Sequence, residues 1–353
     1  MKTVVVGLSG GVDSSVSAWL LKQQGYRVIG LFMKNWEEKD ENGVCQSSKE
    51  FADAAAVAEK IGIPCYSVNF VKEYWDNVFA HFIAEFRQGH TPNPDILCNR
   101  EIKFKAFYEK AREFGADFLA TGHYCQIGNS CQLLKGRDPG KDQTYFLYTL
   151  KEGILANVLF PVGHLHKKEV RALAREAGLP TSEKKDSTGI CFIGERNFKQ
   201  FLSQYIAIQP GPFKNLDGKV VGQHEGVAYY TIGQRRGMGL GGEGEAWFVV
   251  GKDIPNNVVF VERGENHPAL FKSELHCTEL TWIGAAPQLP FKCRSKIRYR
   301  QNDEECEIIS TTPINSSSKE AFVRFARSQR AITPRQSIVF YDGDVCLGGG
   351  IIS

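Results

Sequence analysis

Three clusters in this chain combine residue types and spacings that can do chemistry. The run Ser9-Gly10-Gly11-Val12-Asp13-Ser14 follows an apolar strand, Val4-Val5-Val6, and leads into a helical pattern. A glycine turn between a buried strand and a helix leaves backbone amides pointing forward, where they and the helix dipole favour an anion. Gly10 and Gly11 let the backbone curl around a phosphate, while Ser9 and Ser14 add hydroxyl donors. Asp13 is placed to hold a magnesium ion or to cap the helix. A Walker loop needs a lysine after its glycines, and none follows here. The second cluster is Thr91-Pro92-Asn93-Pro94-Asp95-Ile96-Leu97-Cys98-Asn99. Its two prolines stiffen the loop. If Asp95 caps the helix that follows, Cys98 falls in the first turn, where the dipole, Arg100 and Lys103 favour a nucleophilic thiolate. The third is Asp186-Ser187-Thr188-Gly189-Ile190-Cys191-Phe192-Ile193-Gly194, in which Gly189 and Gly194 suit a mobile arm and Lys184 and Lys185 lie upstream to stabilise a thiolate or persulfide.

The elements that must position these clusters are legible as patterns. Up to about residue 150 helices and strands alternate, which predicts a doubly wound parallel sheet covered on both faces. Helices are expected at Val12–Gln24 (ended by Gly25), Ser47–Lys60 (with Ser47 and Glu50 at capping-box spacing) and Val71–Arg87. Strands are expected at Arg27–Met33, Pro64–Phe70 and Asp117–Thr121. Gln88–Leu97 reads as a loop before a further helix ending near Gly115, and two basic helices are expected at Lys167–Glu176 and Glu195–Gln204. From Gln209 onward short β runs dominate, among them Val227–Ile232, Ala246–Val250 and Val258–Glu262. Further strands near Glu274–Trp282, Ser295–Arg300, Glu305–Ser310, Ala321–Phe325, Ser337–Tyr341 and Val345–Leu347 predict a closed antiparallel barrel. The expected domains are 1–203 (catalytic α/β), 204–273 (small and β-rich) and 274–353 (C-terminal β-barrel).

Composition narrows the classes. A chain of 353 residues with net charge +3 supports two or three domains, and any nucleic-acid surface must be a local patch. No apolar run approaches the ~20 residues of a membrane helix, and Met1-Lys2 leads directly into the first strand, so a cytoplasmic protein without a leader is expected. The ten cysteines contain no CxxC pair, which argues against zinc ribbons and iron–sulfur sites.

SGGVDS resembles the phosphate loop of PP-loop ATP pyrophosphatases. Together with TPNPDILCN, Lys141-Asp142-Gln143 and STGICFIG, it resembles the bacterial tRNA-specific 2-thiouridylase family over nearly the whole chain. The resemblance implies that the C2 oxygen of a tRNA wobble uridine is adenylated by ATP and replaced by sulfur. It implies an ATP site at Gly7, Leu8, Ser9, Gly10, Gly11, Val12, Asp13 and Ser14, with Met33 against the adenine, Gly122 close to the nucleotide and Mg2+ reaching Asp13 through ATP. Asn93, Pro94 and Asp95 would contact a flipped-out target base, Asp95 acting as general acid/base. Cys191 would carry sulfur as a persulfide received from a donor or relay protein. Cys98 would attack the inner or transferred sulfur, releasing AMP and leaving a transient Cys98–Cys191 disulfide. Lys141, Asp142, Gln143, Tyr299 and Arg300 would contact tRNA, and a monomer is expected.

Other signals are weaker. Lys296–Gln301 reads as a strand with alternate basic residues on one face, Gln234-Arg235-Arg236 is a third basic candidate, and Lys167–Arg175 reads as a solvated helix face. Gly239–Gly244 reads as a flexible loop and Gly348–Gly350 as a barrel turn. His81, His90, His164 and His166 form no metal-ligand spacing, and His123 is a candidate for orienting a nucleotide. The competing readings are another PP-loop adenylating enzyme, such as an amidating ligase or a cluster-dependent tRNA sulfurtransferase, and a nonenzymatic RNA-binding protein switched by nucleotide. A ligase does not need two presented cysteines, and the cluster enzymes rely on CxxC.

Overall fold

The computed structural model describes residues 1–37, 46–186, 198–207, 209–314 and 318–353. The N-terminal strand β1 (Thr3–Gly7) is built from β-branched valines, and Val4, Val5 and Val6 are wholly buried, each worth roughly 1.5–3 kcal/mol of apolar burial. It runs into α1 (Val12–Gln23), which ends where Gly25 takes a left-handed conformation. Next come β2 (Arg27–Lys34), α2 (Gln46–Ile61) and β3 (Cys65–Asn69), then α3 (residues 71–87) and α4 (residues 94–113). Ser47 does not cap α2; it lies inside the helix and donates to the carbonyl of Trp36 at 2.7 Å. After α4 follow β4 (Phe118–Ala120), the hairpin β5 (Cys125–Ile127) and β6 (Leu133–Lys135), α5 (Glu152–Leu155), β7 (Val158–Leu159), α6 (Lys167–Glu176) and α7 (Phe198–Ser203).

Five strands form an all-parallel sheet in the order β3-β2-β1-β4-β7. The chain steps outward from β1 through β2 to β3, then returns to the other side of β1 as β4. The carboxyl end of β1 is therefore the topological switch point, where open α/β sheets bind ligands. The glycine run sits there.

A second sheet, order β10-β11-β8-β9, contains β8 (Gly211–Lys214), β9 (Val220–His224), β10 (Trp247–Asp253) and β11 (Val258–Arg263). Val227–Ile232 is not a strand: Val227–Tyr229 forms a single tight turn that lets buried Tyr230 pack edge-on against Phe213, ring centroids 5.0 Å apart.

The third sheet contains β12 (Phe271–Trp282), β13 (Phe291–Lys296), β14 (Glu304–Ile314), β15 (Ser318–Arg330), β16 (Ser337–Asp342) and β17 (Val345–Ile352), and pairing of β12 with β17 closes it into an antiparallel barrel. Gly348–Gly350 lies within β17 and is no turn. A Cβ on Gly349 would stand 2.4 Å from the Ile338 carbonyl oxygen and 2.8 Å from the Tyr148 ring, so the closing strand needs residues without side chains. The hairpin β5–β6 belongs to the N-terminal part of the chain yet pairs with β17, joining that unit to the barrel.

Candidate active site

Gly11 is the N-cap of α1 and no side chain caps the helix, so the first-turn amides are left for a ligand. Gly10 is left-handed (φ +70°), and a Cβ there would meet the Glu50 carbonyl oxygen at 2.7 Å. The hydroxyls of Ser9 and Ser14 lie 3.2 Å apart, and Ser14 also donates to the Gly11 carbonyl at 3.0 Å. Gly122, just beyond β4, presses against the same turn: a Cβ there would lie 2.8 Å from the Ser14 nitrogen. Met33, half buried, stands at the carboxyl end of β2. The loop residues, Met33 and Gly122 thus gather around the carboxyl ends of three adjacent strands.

Positive charge reaches this loop from elsewhere in the chain. The Lys167 ammonium donates to both Asp13 oxygens at 2.7 and 2.8 Å, and Tyr124 donates to the same carboxylate at 2.7 Å. Burial and the adjacent Asp13 carboxylate push the Tyr124 hydroxyl far above its ordinary range, so it stays a donor. Lys184 donates to the Gly10 carbonyl at 2.9 Å and to Asp53 at 2.6 Å, so it serves the glycine loop. Lys167 is therefore no solvated helix residue: its side chain is only 12% exposed, and it also lies 2.8 Å from Asp186. Asp186 further accepts from Lys141 at 2.6 Å and Arg171 at 2.7 Å. Partial burial opposes ionisation of Asp186, but Lys141 and Lys167 outweigh it and hold the carboxyl well below the usual carboxylate range. Sequence reasoning missed Tyr124, Lys167, Arg171 and Asp186 as a set; the only signal was the i, i+4 spacing of Lys167 and Arg171 at a helix start.

The loop fits a nucleotide phosphate by its uncapped helix and its glycine cradle. Magnesium fits only together with phosphates, since Asp13 already accepts from an ammonium and a phenol. Among the described residues no group of three or more His, Cys, Asp or Glu side chains could hold a metal by itself.

The helix α4 starts earlier than its sequence suggests. Asn93 is the N-cap, its side chain accepting from the Asp95 amide at 3.1 Å with Pro94 in the first helical position. Asp95 is thus inside the helix, and Cys98 lies beyond the first turn, opening a wide stretch of π-type winding (Cys98–Ala106). Cys98 is 1% exposed and belongs to the main core. The helix is seated against the loop strand through Phe107, whose ring lies 3.4 Å from the position of a Gly7 Cβ. Cys191 and Ser187–Gly194 lie outside the described residues, so only one of the two candidate thiols is placed. His123 is buried and contacts Thr121 at 2.8 Å; burial, then the nearby Lys103 charge, pushes its pKa well down, so the ring is neutral.

The residues expected to meet tRNA divide. Asp142 is 5% exposed, and its carboxylate accepts from the Gly136 amide and from the Thr144 amide and hydroxyl, with Lys296 3.5 Å away. Gln143 exchanges hydrogen bonds with the Tyr124 backbone at 2.9 and 3.1 Å. This segment braces the loop tyrosine, with Lys141 reaching Asp186, and Asp142 presents no surface to a ligand. The strand β13 ends at Lys296, so Lys296–Gln301 is not a strand with one basic face: Lys296 is buried against Asp142 and Asp303, and Arg298 donates to the Arg330 and Ala331 carbonyls. Tyr299 packs on Phe146 (centroids 4.4 Å apart), whose carbonyl accepts from Asn99 beside Cys98 at 3.1 Å. Arg300 is exposed. Arg335 pairs with Glu85, and Gln336 donates to the Thr91 carbonyl, so the barrel also abuts the proline loop. Packing contacts thus run from the glycine loop through α4 to the barrel turn that bears Tyr299 and Arg300.

Three family models match successive parts of the chain. They are described as tRNA methyl transferase HUP domain (residues 2–195), tRNA methyl transferase PRC-barrel domain (199–263) and aminomethyltransferase beta-barrel domain (272–352). Fold and loop thus define a HUP-type α/β enzyme carrying two β modules. A tRNA-specific 2-thiouridylase MnmA of Protochlamydia amoebophila is 64% identical over 99% of this chain and 93% of its own length. Proteins of the same name from Halalkalibacterium halodurans and Listeria welshimeri are 55% and 56% identical, each over 99% of this chain and 94% of their own length. The chain belongs to the tRNA-specific 2-thiouridylase family and is an enzyme of tRNA thiolation. A solved complex of a 4-thiouridine synthetase with RNA and ATP is 18% identical, with a TM-score of 0.36 over 58% of this chain and 50% of that one. Among the described residues no helix is long and apolar enough to cross a membrane.

Proposed function

We propose that this chain uses ATP to replace the C2 oxygen of a tRNA wobble uridine with sulfur. The observation that carries the reading is the uncapped start of α1, crossed by Gly122 and ringed by Lys167, Lys184 and Arg171. A PP-loop lacks the Walker lysine, and these cations, drawn from distant positions, would offset triphosphate charge in its place. The first-turn amides and the Ser9 and Ser14 hydroxyls bind phosphate, Met33 lies against the adenine, and Asp13 aims Lys167 at the phosphates. Magnesium, bound through ATP, would neutralise phosphate charge there. The uridine oxygen is a poor leaving group, so it displaces pyrophosphate from ATP and becomes an adenylate.

Asn93, Pro94 and Asp95 form the end of α4 that receives the flipped base, with Asp95 moving the proton. Cys191 carries the sulfur as a persulfide delivered by a donor protein. Its terminal sulfur bonds to C2 as AMP leaves; Cys98 then attacks the inner sulfur, freeing thiouridine and leaving a Cys98–Cys191 disulfide for a reductant. Tyr299, Arg300 and Lys141 contact tRNA, while Asp142 and Gln143 act by bracing Tyr124. The working units are 1–203, 204–273 and 274–353, in a cytoplasmic monomer.

A single turnover with a persulfide donor, Mg-ATP and unmodified tRNA tests the cysteine roles. Cys191→Ser should bind ATP normally yet transfer no sulfur, and Cys98→Ser should stop before thiouridine is released. Normal thiouridine yield from either variant overturns its assignment.

A further inference from the structure

On the C-terminal barrel, Cys293 of β13 stands directly opposite Cys306 of β14 in the antiparallel register, with the two Sγ atoms 3.6 Å apart. Neither thiol has a part in the chemistry proposed above. Side chains opposite one another in such a pair have Cβ atoms about 4.5–5.5 Å apart. A disulfide needs about 3.5–4.5 Å, so bond formation asks for strand movement of roughly an ångström. Cys306 is 5% exposed and Cys293 is only half buried, which gives the pair an inner sulfur and an outer one.

The surroundings favour charge on the inner sulfur. Either thiol can donate across this contact; with Cys293 as donor the hydrogen bond lowers the Cys306 pKa against the effect of burial and raises that of Cys293. Ser295, two residues along the same face, is 1% exposed, and its hydroxyl has no ordinary hydrogen-bond partner among the described residues. That hydroxyl lies toward Cys306 and also favours its thiolate. Burying an unpaired hydroxyl beside a neutral thiol is costly; beside a thiolate or a sulfenic oxygen it gains a partner.

We propose that Cys293 and Cys306 are a redox-modification site that forms a reversible disulfide when a peroxide reaches the barrel. The Cys306 thiolate attacks one peroxide oxygen, the O–O bond breaks, hydroxide departs, and the sulfur loses two electrons to become a sulfenic acid. The hydroxide takes the Cys293 proton to give water. The Cys293 thiolate then attacks the Cys306 sulfur, breaking the S–O bond and expelling a second hydroxide. A dithiol reverses the reaction by exchange, with its own two sulfurs oxidised to a disulfide. The bond lies midway along the β13–β14 ladder, two pairs from the turn that carries Tyr299 and exposed Arg300.

The full chain, reduced and then titrated with hydrogen peroxide, is quenched with an alkylating agent, digested without reductant and mapped by mass spectrometry. The expected result is one linked species joining the Cys293 and Cys306 peptides, lighter by two hydrogens, dominant before buried Cys125, Cys277 and Cys346 react, and abolished by dithiothreitol. Cys293→Ser should leave Cys306 as a sulfenic or sulfinic acid. Recovery of Cys293 and Cys306 only as separate alkylated or over-oxidised peptides, or of either linked to another cysteine, overturns the proposal.

Discussion

Replacing Gly122 with alanine tests how closely β4 and the glycine loop are fitted. The added Cβ would stand 2.8 Å from the Ser14 nitrogen and 2.9 Å from the Asp13 carbonyl carbon. Carbon contacts are comfortable at about 3.5 Å or more. Both neighbours are backbone atoms in the first turn of α1, so no side-chain rotation relieves the clash, and the strand end or the helix must shift. Overpacking of this kind costs about 1–3 kcal/mol. At roughly 2–4 °C per kcal/mol for a domain of this size, Tm should fall by about 2–12 °C. The shift opens the amide cradle, so ATP affinity should fall by as much as about a hundredfold. Gly153→Ala is the control: Gly153 is exposed in α5, its Cβ would meet nothing within 4 Å, and its φ needs no glycine. That change should stabilise by about 0.4–1 kcal/mol and leave nucleotide affinity alone. Thermal unfolding and calorimetric titration with a nonhydrolysable ATP analogue measure both. A Gly122→Ala protein with wild-type Tm and wild-type affinity would refute the reasoning.

Lys167→Met removes an ammonium 2.7 Å from Asp13 and 2.8 Å from Asp186, so it should cost about 1.5–3 kcal/mol in urea unfolding and weaken ATP binding; unchanged values in both would count against the cation role. The depressed Asp186 pKa stabilises the fold above the unfolded carboxylate value of about 3.9, and this contribution fades as pH falls below it. The stability gap between wild type and Asp186→Asn should therefore be constant from neutral pH to about pH 4 and shrink below, and a gap that stays constant under acid contradicts the assignment. Burial pushes the Lys252 ammonium, which donates to the Gly89 carbonyl at 2.8 Å, down to about 8. Between that value and the unfolded value of about 10.4 the unfolded chain binds more protons, so wild type should gain on Lys252→Met as pH rises, by at most roughly 3 kcal/mol. Equal urea midpoint differences at neutral pH and about pH 10 would exclude this burial effect.

Much of the fold was readable because its local rules agree. Buried valines, the left-handed Gly25 and the 3.6-residue period of Lys167–Glu176 each act over one or two turns. The misreadings came from partners distant in sequence. Val227–Ile232 looks like a strand, but the aromatic cluster around Phe213 holds it as a turn. Gly348–Gly350 looks like a turn, but β12, β16 and the Tyr148 ring crowd it into the barrel. The β5–β6 hairpin is too short to signal that it pairs with a strand more than 200 positions later. At the site, the glycine loop and Gly122 announce themselves by type, whereas Lys167 and Asp186 look like ordinary surface charges until α6 is folded against α1. The expectation that Lys296–Gln301 offers a basic strand face failed because Asp142 and Asp303 draw Lys296 into the interior.

The most direct test is to incubate the full chain with unmodified tRNA, Mg-ATP and a persulfide donor, then quantify nucleosides by mass spectrometry alongside AMP and pyrophosphate. The account predicts 2-thiouridine at the wobble position, with one AMP and one pyrophosphate for each, and none when ATP is omitted. Thiouridine formed without ATP, or formed with ADP and phosphate as products, would contradict it, as would ATP cleavage with no thiouridine at all.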